Sequence, residues 1–575
     1  MKSYGIYKRQ GLSLYDLIAI ILLAFFVYGV VATARRWTGD FSPSAPIRLE
    51  LQALPLYGVY SLFRACIAYA LSFAFTIGMG YWAARNTVAE KIIIPLLDIG
   101  QSIPVLGFLP GLVLGLISLF PKNNFGLELA CIIMIFTGQV WNMTFSFYSS
   151  LKAIPVSIEE MSTITGLSRM NKLYNIEMPY AATGLAWNSL MSMAGGWFFL
   201  TVCEAFTLED KNFRVPGLGS YMAAAIEADN HEAMLFGILA MFVVIISMDF
   251  LIWRPIIAWT SKFRLDDNLE GEDTIPFMGL LLTESPVIQE FMSAVKKIYR
   301  SIMPRKNPLQ RALPSRTVTR LRKISRKNRS VIFYFFVAAL SIVAFALVGK
   351  IYNMIITLQM HEVRLIAIGT IYTFLRVLFA VILSSLWTVP VGILIGLSSK
   401  LTKIMQPLIQ ITASFPAPML FPLALVFLSS IHIKMGMASS LLIFLSVQWY
   451  VLFNVLAGAM SISHEMRDSF SLIGVSRWHT WKKLYLPSIF PSLVTGWITA
   501  AGGAWNASIV AEYTHLNGVT MSTLGLGALI SQATAHANYD VLTAALIMMT
   551  CIVVILNRFV WQPLLQFSET RFRLD

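Results

Sequence analysis

The sequence predicts an all-α integral membrane protein of about twelve transmembrane helices, arranged as two six-helix units in tandem. Three observations predict this class. Of the 575 residues, 57% are hydrophobic and only 13% are charged, which is too little charge to cover a soluble protein of this size. Apolar runs that could cross a bilayer recur along the chain. The second half of the chain also repeats the first.

Six apolar runs precede a basic linker and six follow it. The predicted spans are 15–34, 60–83, 92–120, 127–149, 180–203, 233–258, 330–350, 366–396, 403–430, 437–460, 489–511 and 541–562. Two of them, 92–120 and 403–430, contain internal prolines. Proline removes a backbone donor and clashes with the preceding turn, so these two spans are expected to be kinked or broken.

The internal repeat becomes visible when the chain is shifted by 308 residues, so that Glu204 coincides with Glu512. Further upstream the shift is 312, and Arg64 coincides with Arg376. Each copy has an even number of spans, so both copies enter the membrane from the same side. The two units are therefore predicted to be parallel and related by a pseudo-twofold axis along the membrane normal.

Basic residues set the expected orientation. The segment 261–330 carries 15 lysines and arginines against 7 acidic residues, and other basic residues lie in alternate loops. By the positive-inside rule these segments are cytoplasmic, which also predicts that both termini are cytoplasmic. A basic linker between apolar blocks is expected to face anionic membrane lipid, and no nucleic-acid partner is predicted.

One predicted cytoplasmic loop of each half carries the same motif. An acidic residue is followed six positions later by glycine, then by Ser-Arg, and finally by a proline that ends an aliphatic–x–aliphatic–proline sequence. The motif residues are Glu160, Gly166, Ser168, Arg169 and Pro179 in the first half, and Asp468, Gly474, Ser476, Arg477 and Pro487 in the second. Glycine permits a sharp turn and proline suits a first helical turn, so each loop is predicted to be a rigid projection.

This motif resembles the EAA loop of type I ATP-binding-cassette importer permeases. The alanines of that pattern are absent, because Met161-Ser162 and Ser469-Phe470 stand in their place, and Asp468 replaces the usual glutamate. The resemblance implies two fused permease units in a prokaryotic plasma (inner) membrane. It further implies that two copies of a separate ATPase dock on the loops and that their closure drives alternating access.

The chain contains no G-x-x-x-x-G-K-[ST] phosphate loop. It is therefore expected to be a non-enzymatic subunit that binds no cofactor itself, with ATP and Mg²⁺ used by the partner. No catalytic residue is predicted, and no metal site, because the four cysteines are scattered. Whether an extracytoplasmic substrate-binding protein takes part stays open.

A narrower resemblance concerns the segment from Pro95 to Pro104 and the Gly-Leu-Gly sequences that follow Glu204 and Glu512. These look like the nitrate, taurine, sulfonate and bicarbonate branch of the permeases. The resemblance favours a small anion as the substrate. Iron chelates and amino acids stay open.

Nine polar residues within or at the ends of spans are candidates for a substrate path. They are Arg64, Asp98, Gln101, Ser102, Glu204, Arg376, Gln410, Ser414 and Glu512. Arginines facing a shared axis would bind an oxyanion, although a structural role is the stronger alternative, either snorkelling to the outer interface or pairing with the two glutamates. Polar residues beside broken helices are where transporters build sites, and interhelical hydrogen bonding is the alternative there.

The predicted domain division follows from these features. It comprises an N-terminal tail with the first span and external loop (1–56), a first permease domain (57–256), a basic cytoplasmic linker (257–329), a seventh span with its loop (330–365), a second permease domain (366–563) and a C-terminal tail (564–575).

Two other functional classes compete with the permease. An ion-coupled secondary transporter would need intramembrane acidic or histidine relays, and Asp98 and Asp249 are the acidic residues clearly inside predicted spans. That class stays the main alternative, although it leaves the repeated loops unexplained. A membrane enzyme ranks last, because no catalytic cluster repeats in both halves.

Overall fold

The computed structural model describes residues 14–208, 211–263, 356–516 and 519–572, together with residues 293 and 349. By its internal contacts the chain divides into two compact units, one of Met1–Phe26 with Phe277–Met360 and one of Val27–Pro276 with His361–Asp575. Both halves of the internal repeat, 57–256 and 366–563, belong to the second unit. The predicted seventh span and most of the linker lie outside the described residues.

The first half is helical apart from one hairpin. Its helices are Leu14–Thr38 (α1), Leu54–Phe75 (α2), Tyr81–Arg85 (α3), Thr87–Ser102 (α4), Leu109–Leu119 (α5), Phe125–Lys152 (α6), Val156–Ile164 (α7), Arg169–Lys172 (α8), Met178–Cys203 (α9), Leu218–Glu227 (α10), His231–Met248 (α11) and Arg254–Thr260 (α12). Strands Ala205–Leu208 (β1) and Lys211–Arg214 (β2) pair antiparallel, with Phe206 opposite Phe213.

The second half repeats this order. Its helices are Met360–Gly396 (α13), Ser399–Ser414 (α14), Phe421–Ser430 (α15), Met435–Met460 (α16), His464–Leu472 (α17), Arg477–Thr480 (α18), Leu486–Ala511 (α19), Leu526–Ala535 (α20), Tyr539–Leu556 (α21) and Gln562–Arg571 (α22). Strands Tyr513–Leu516 (β3) and Val519–Ser522 (β4) form the second antiparallel hairpin.

The two predicted breaks are present, and each contains a proline in extended backbone. α4 ends at Ser102 and α5 begins at Leu109, with Pro104 in extended backbone between them. In the second half, Pro416 takes the same conformation between α14 and α15. A proline lacks the N–H needed to continue the helical ladder, so each span bends into a short 3₁₀ turn at this point.

The predicted membrane class is confirmed. Within the described part of the chain, seven helical segments are long and apolar enough to cross a membrane, and shorter apolar helices accompany them. Among the residues described, five turns of π-helix interrupt the long helices, and four of them recur at equivalent positions of the two halves. Those four are Leu173–Glu177 with Trp481–Tyr485, and Asp249–Trp253 with Asn557–Trp561.

The bundle has two distinct ends. α9 and α19 each begin after the short helices that carry the sequence motif and end where a hairpin begins. We call the end with α7, α8, α17 and α18 the loop end, and the opposite end the hairpin end. α9 packs along α6 and α19 along α16, and buried side chains of both halves join in one hydrophobic core. The seam between the halves is therefore part of the core.

Candidate functional site

A cavity of about 230 Å³ lies on the seam between the two halves. We call it the central cavity. Its walls come from α4, α6 and α9 of the first half and from α16, α19 and α21 of the second. Its polar lining residues are Gln101, Thr137, Asn142, Ser192, Ser446, Thr499, Asn506 and Asn557, among the rings of Trp141, Tyr450 and Trp505. No charged residue of the described chain lines this cavity, so it presents neutral amides, hydroxyls and aromatic faces.

The wall of the central cavity is held across the seam. The side-chain oxygen of Asn506, on α19, accepts a hydrogen bond of 2.9 Å from the backbone N–H of Val105. This N–H begins the 3₁₀ turn at the break between α4 and α5, where the helical ladder offers no acceptor. A side chain of the second half thus fixes the broken helix of the first.

A larger cavity of about 540 Å³ lies between the halves at the hairpin end. Its lining is mainly apolar and includes Phe206, Phe213 and Tyr513 from the hairpin strands. Arg214 and Glu227 also line it and form an ion pair with each other. The hairpins therefore wall this second cavity, which lies on the same seam as the central cavity. We call it the outer chamber, because it lies at the hairpin end of the bundle.

A third, very small cavity of about 10 Å³ lies where the first half's last span meets α14 of the second half. There the amide of Gln410 donates a 2.6 Å hydrogen bond to Asp249, whose other oxygen accepts one of 2.8 Å from Arg254. About one water molecule is the most that such a volume can hold. This contact between the halves is therefore closed.

The four outer charges predicted for a substrate path pair with each other. Arg64 contacts Glu204 at 2.7 Å, and Arg376 contacts Glu512 at 2.7 Å, all deeply buried. In the first half Glu128 adds a second carboxylate at 2.5 Å from Arg64. None of these side chains lines the central cavity or the outer chamber. These side chains therefore form buried ion pairs, which is one of the structural roles that the sequence favoured over substrate binding.

The other predicted path residues are divided among different places. Gln101 lines the central cavity and lies 3.5 Å from the carboxylate of Asp98. Gln410 and Ser414 line the small closed cavity. The side chain of Ser102 lies outside the described part of the structure. The structure thus brings Gln101 to the central cavity and separates it from Gln410 and Ser414, which the sequence predicted on the same substrate path.

The two motif loops project from the loop end as helix–turn–helix units. Gly166 and Gly474 take left-handed backbone with φ of 64° and 72°, and a Cβ at either position would meet no atom within 4 Å. Pro179 and Pro487 lie in the first turns of α9 and α19. Glu160 and Asp468 are exposed, as are Ser168, Arg169, Ser476 and Arg477. The glycines therefore serve the turn itself, and the motif side chains face outward.

Each loop is tied back to the bundle by an arginine. Arg85, at the end of α3, contacts Glu159 and Glu177 at 2.5 Å each, and Lys172 joins Glu159 at 3.4 Å. The hydrogen bond from Arg85 holds the pKa of the Glu159 carboxyl below its usual range. In the second half, Arg467 donates a 2.8 Å hydrogen bond to the carbonyl of Leu397. The two halves thus anchor equivalent loops with different residues.

Comparison with known families then decides what this bundle is. A model described as the binding-protein-dependent transport system inner membrane component matches the chain twice, at residues 76–252 and 388–560. The chain belongs to this family. It is an ATP-binding-cassette transporter permease in which two permease domains are fused. Both matches contain a broken helix and a motif loop.

Individual permeases are each similar to about a third of this chain. A putative ABC transporter permease protein of Methanocaldococcus jannaschii is 28% identical over 34% of this chain and 74% of its own length. The taurine transport system permease protein of Escherichia coli is 29% identical, over 32% and 62% respectively. The bicarbonate transport system permease protein of Synechococcus elongatus is 27% identical, over 33% and 66%. The chain thus spans somewhat less than two thirds of the taurine and bicarbonate permeases.

Several residues that shape the permease were missed in the sequence. Glu128 lies at the start of the predicted span 127–149, and the sequence does not predict it as an intramembrane acid. In the structure its carboxylate accepts a hydrogen bond from Arg64. The Asp249–Gln410 contact joins residues 161 positions apart, which no local pattern indicates. A signal was nevertheless available, because the repeat aligns Asp249 with Asn557 and Gln410 with Asp98. The last span therefore carries an acid in the first half and an amide in the second, while the broken helix carries an acid in the first half and an amide in the second.

Proposed function

We propose that this permease forms the whole translocation path of an ATP-driven importer and that two copies of a separate ABC ATPase bind its two motif loops. One chain supplies both loops, at equivalent positions of the two halves. In this proposal the loop end is cytoplasmic, the membrane is the prokaryotic plasma membrane, and ATP with Mg²⁺ is consumed only by the partner.

The observation that carries the proposal is the exposure of large apolar side chains on the loops. Ile164 is 86% exposed, Leu472 is 87% exposed and Trp478 is 74% exposed. These residues lie outside the spans that the sequence predicts, where water would surround them. Exposed apolar side chains in such a place are typical of a docking surface. The arginine ties described above would transmit movement of a docked partner to the spans.

The orientation is supported by the charge of the loops. Lys172, Lys482 and Lys483 lie at the loop end, close to the predicted membrane boundary. Lysines and arginines concentrate in cytoplasmic loops. An ATPase that uses cytoplasmic ATP would meet the permease on this side.

For the substrate we infer a small oxyanion, such as nitrate, taurine or another sulfonate, or bicarbonate. Two of the similar proteins, the taurine and the bicarbonate transport system permeases, support this class. The central cavity is compatible with it, because amide, hydroxyl and indole groups can donate hydrogen bonds to oxyanion oxygens. Family membership supports an extracytoplasmic substrate-binding protein as a further partner. The outer chamber between the hairpins would receive the substrate from it.

An ion-coupled transporter is less well supported. Asp249, one of the two acids considered for a proton or ion relay, is engaged by both Gln410 and Arg254. A carboxylate held by a cation and an amide is poorly placed to bind and release a coupling ion.

The proposal is tested by replacing the exposed apolar residues of both loops, Ile164→Asp with Leu472→Asp. Because both side chains are exposed, the permease should fold normally and reach the membrane. We expect co-purification with the ATPase encoded in the same host to fall by about tenfold or more, since an apolar contact is replaced by charge. ATP-dependent uptake of taurine, nitrate and bicarbonate into vesicles should fall with it.

The matched control is Val519→Asp, a change of an exposed apolar residue at the hairpin end. This variant should retain the ATPase. A loop variant that keeps a full complement of ATPase and transports normally would refute the docking proposal.

A further inference from the structure

The small closed cavity and the central cavity occupy equivalent places in the two halves. The small closed cavity lies between the last span of the first half and α14 of the second half, a contact that we call the first interface. The central cavity lies at the equivalent contact between α21 of the second half and α4 of the first, which we call the second interface. Equivalent residues line both cavities, namely Trp197 and Trp505, Asp249 and Asn557, and Trp253 and Trp561. The repeat would predict equal cavities, yet their volumes are about 10 and 230 Å³.

Aromatic stacking closes the first interface. Phe242 of the last span stacks on Phe415 at the break after α14, with ring centroids 4.4 Å apart. At the second interface the equivalent residues are Thr550 and Ile103, which have no rings to stack. α14 also packs closely against α9, whereas α4 makes much less contact with α19.

Side-chain volume and hydrogen bonding act in the same direction. Met193 fills the first interface, whereas its counterpart in the wall of the central cavity is Ala501, which contributes only a methyl group. The Gln410–Asp249 hydrogen bond also clamps the first interface. The difference in volume therefore follows from substitutions between the halves, and the cavity is built into the sequence of the second interface.

Two buried donors that belong to the first half point to what the central cavity binds. Ser192 is almost fully buried, yet its hydroxyl has no hydrogen-bond partner among the described residues. The indole N–H of Trp141 is likewise buried without one. Both residues line the central cavity. Buried donors are rarely left unpaired, so these two are expected to bind an acceptor atom inside the cavity.

The position of the Trp141 ring against α4 is specific to the first half. Its ring lies so close to Gly100 of α4 that a Cβ there would come within 2.5 Å of it. The residue equivalent to Gly100 in the second half is Thr412, and the residue equivalent to Ser192 is Ala500. The second half therefore lacks both the space for this ring position and the second donor.

We propose that the permease binds its substrate at one asymmetric site, the central cavity at the second interface, while the first interface is a closed structural contact. The ligand class is a small oxyanion whose oxygens accept hydrogen bonds from Ser192 and Trp141. Because no charged side chain among the described residues lines this cavity, the site binds the anion through neutral donors. The ligand class rests on the proposed function, but the asymmetry rests on the packing alone.

The asymmetry is tested with the full-length chain by thiol labelling that needs no substrate. Ala501→Cys and Met193→Cys are placed at equivalent positions and exposed to the anionic reagent 2-sulfonatoethyl methanethiosulfonate, with the wild-type chain giving the background of its four cysteines. We expect Ala501→Cys to react about tenfold faster or more, because thiol reactivity requires access. Equal rates, or faster labelling of Met193→Cys, would overturn the asymmetric site.

Transport supplies the second measurement, with taurine, nitrate and bicarbonate as probes. Ala501→Met, which copies the closed interface, should reduce uptake by about tenfold or more, whereas Met193→Ala should transport within about twofold of wild type. Trp141→Phe and Ser192→Ala should raise KM for the transported probe with little change in maximal rate. Unchanged KM in both would remove the donor assignment.

The two proposals fail in different ways. If the wild-type complex takes up none of the three probes in the presence of ATP, the anion importer of the proposed function is wrong. The thiol rates still decide whether the seam carries one open site or two. Uptake by Ala501→Met that stays within about twofold of wild type would contradict the asymmetry, because a second path would then remain open.

Discussion

At the scale of single residues, Glu204 and Glu512 join three elements each. Glu204 accepts hydrogen bonds from Arg64 of α2 and from the backbone N–H of Gly219 in the first turn of α10, both at 2.7 Å. Glu512 binds Arg376 at 2.7 Å and the N–H of Ala528 at 3.2 Å. A carboxylate at a helix N-terminus is favourable, because the N-terminal N–H groups lack helical partners.

The two clusters differ in charge. Arg64 has two carboxylate partners, Glu204 and Glu128. The residue equivalent to Glu128 in the second half is Gly436, whose carbonyl receives a weaker 3.3 Å hydrogen bond from Arg376. Glu512 is therefore the one carboxylate that pairs with Arg376 among the described residues.

We predict that Glu512→Gln destabilises the permease more than Glu204→Gln. Leaving a buried arginine without a charge partner costs about 3 kcal/mol, whereas Glu128 still pairs with Arg64 in the other variant. Thermal unfolding of the purified complex in detergent measures the difference. The exposed change Glu232→Gln is the control, and equal melting temperatures for the two buried variants would contradict the prediction.

At the scale of elements, the motif loops depend on their glycine turns. Gly166 and Gly474 adopt positive φ, which costs other L-residues about 1–2 kcal/mol, while the space around each is open. Substitution here therefore changes the backbone preference of the turn without creating a clash. The loop should lose its rigid form before the permease loses its fold.

The prediction is that Gly166→Ala with Gly474→Ala reduces ATP-dependent uptake and ATPase co-purification, while the amount of permease in the membrane stays normal. Asparagine tolerates left-handed backbone better than alanine. Gly166→Asn with Gly474→Asn should therefore recover part of the activity. If the alanine and asparagine pairs behave alike, the turn conformation is not what the loops require.

The attachment of the first loop should depend on pH through Glu159. Because Arg85 lowers the pKa of this carboxyl in the folded protein, the stabilisation is fully present above the unfolded pKa of about 4.3. It is lost as pH falls through the lowered folded value. A spin label at Ile164→Cys should stay equally restricted from pH 8 to pH 5 and become more mobile below about pH 4.

Glu159→Gln provides the comparison for this pH experiment. The variant should show the same label mobility at pH 7 and at low pH, because glutamine does not titrate. A wild-type label that loosens already between pH 8 and pH 5 would point to a different group.

Much of this architecture follows from local patterns in the sequence. Apolar runs predict the spans, Pro104 and Pro416 predict the breaks, and the spacing around Gly166 predicts the turn. What could not be predicted depends on contacts between distant side chains. The Asp249–Gln410 hydrogen bond and the closure of one of two equivalent cavities arise only when both halves pack together.

At the scale of the whole molecule, the halves are joined by reciprocal contacts with unequal chemistry. The last span of each half packs against the broken helix of the other. At the first interface the acid is on the last span, as Asp249, and the amide is on the broken helix, as Gln410. At the second interface the positions are reversed, with Asn557 on the span and Asp98 on the broken helix.

We predict strong coupling between Asp249 and Gln410. Gln410→Asp places two acids together and should lower the melting temperature of the complex, whereas Asp249→Asn combined with Gln410→Asp restores the acid–amide pair and should recover most of the loss. Interaction energies between such neighbours are about 0.5–3 kcal/mol. A double variant as unstable as the sum of the single variants would show that the two side chains act independently.

The reversed order of acid and amide also bears on how such a chain can evolve. If the first half paired with another copy of itself, Asp98 would face Asp249 at both contacts, and burying like charges together is unfavourable. A single ancestral unit that served as its own partner needed no such order. Once each half had accepted its complementary residue, the first half could no longer return to self-pairing by loss of the other. The exchange of acid and amide therefore disfavours the loss of the second half, so that both permease domains are retained in one polypeptide.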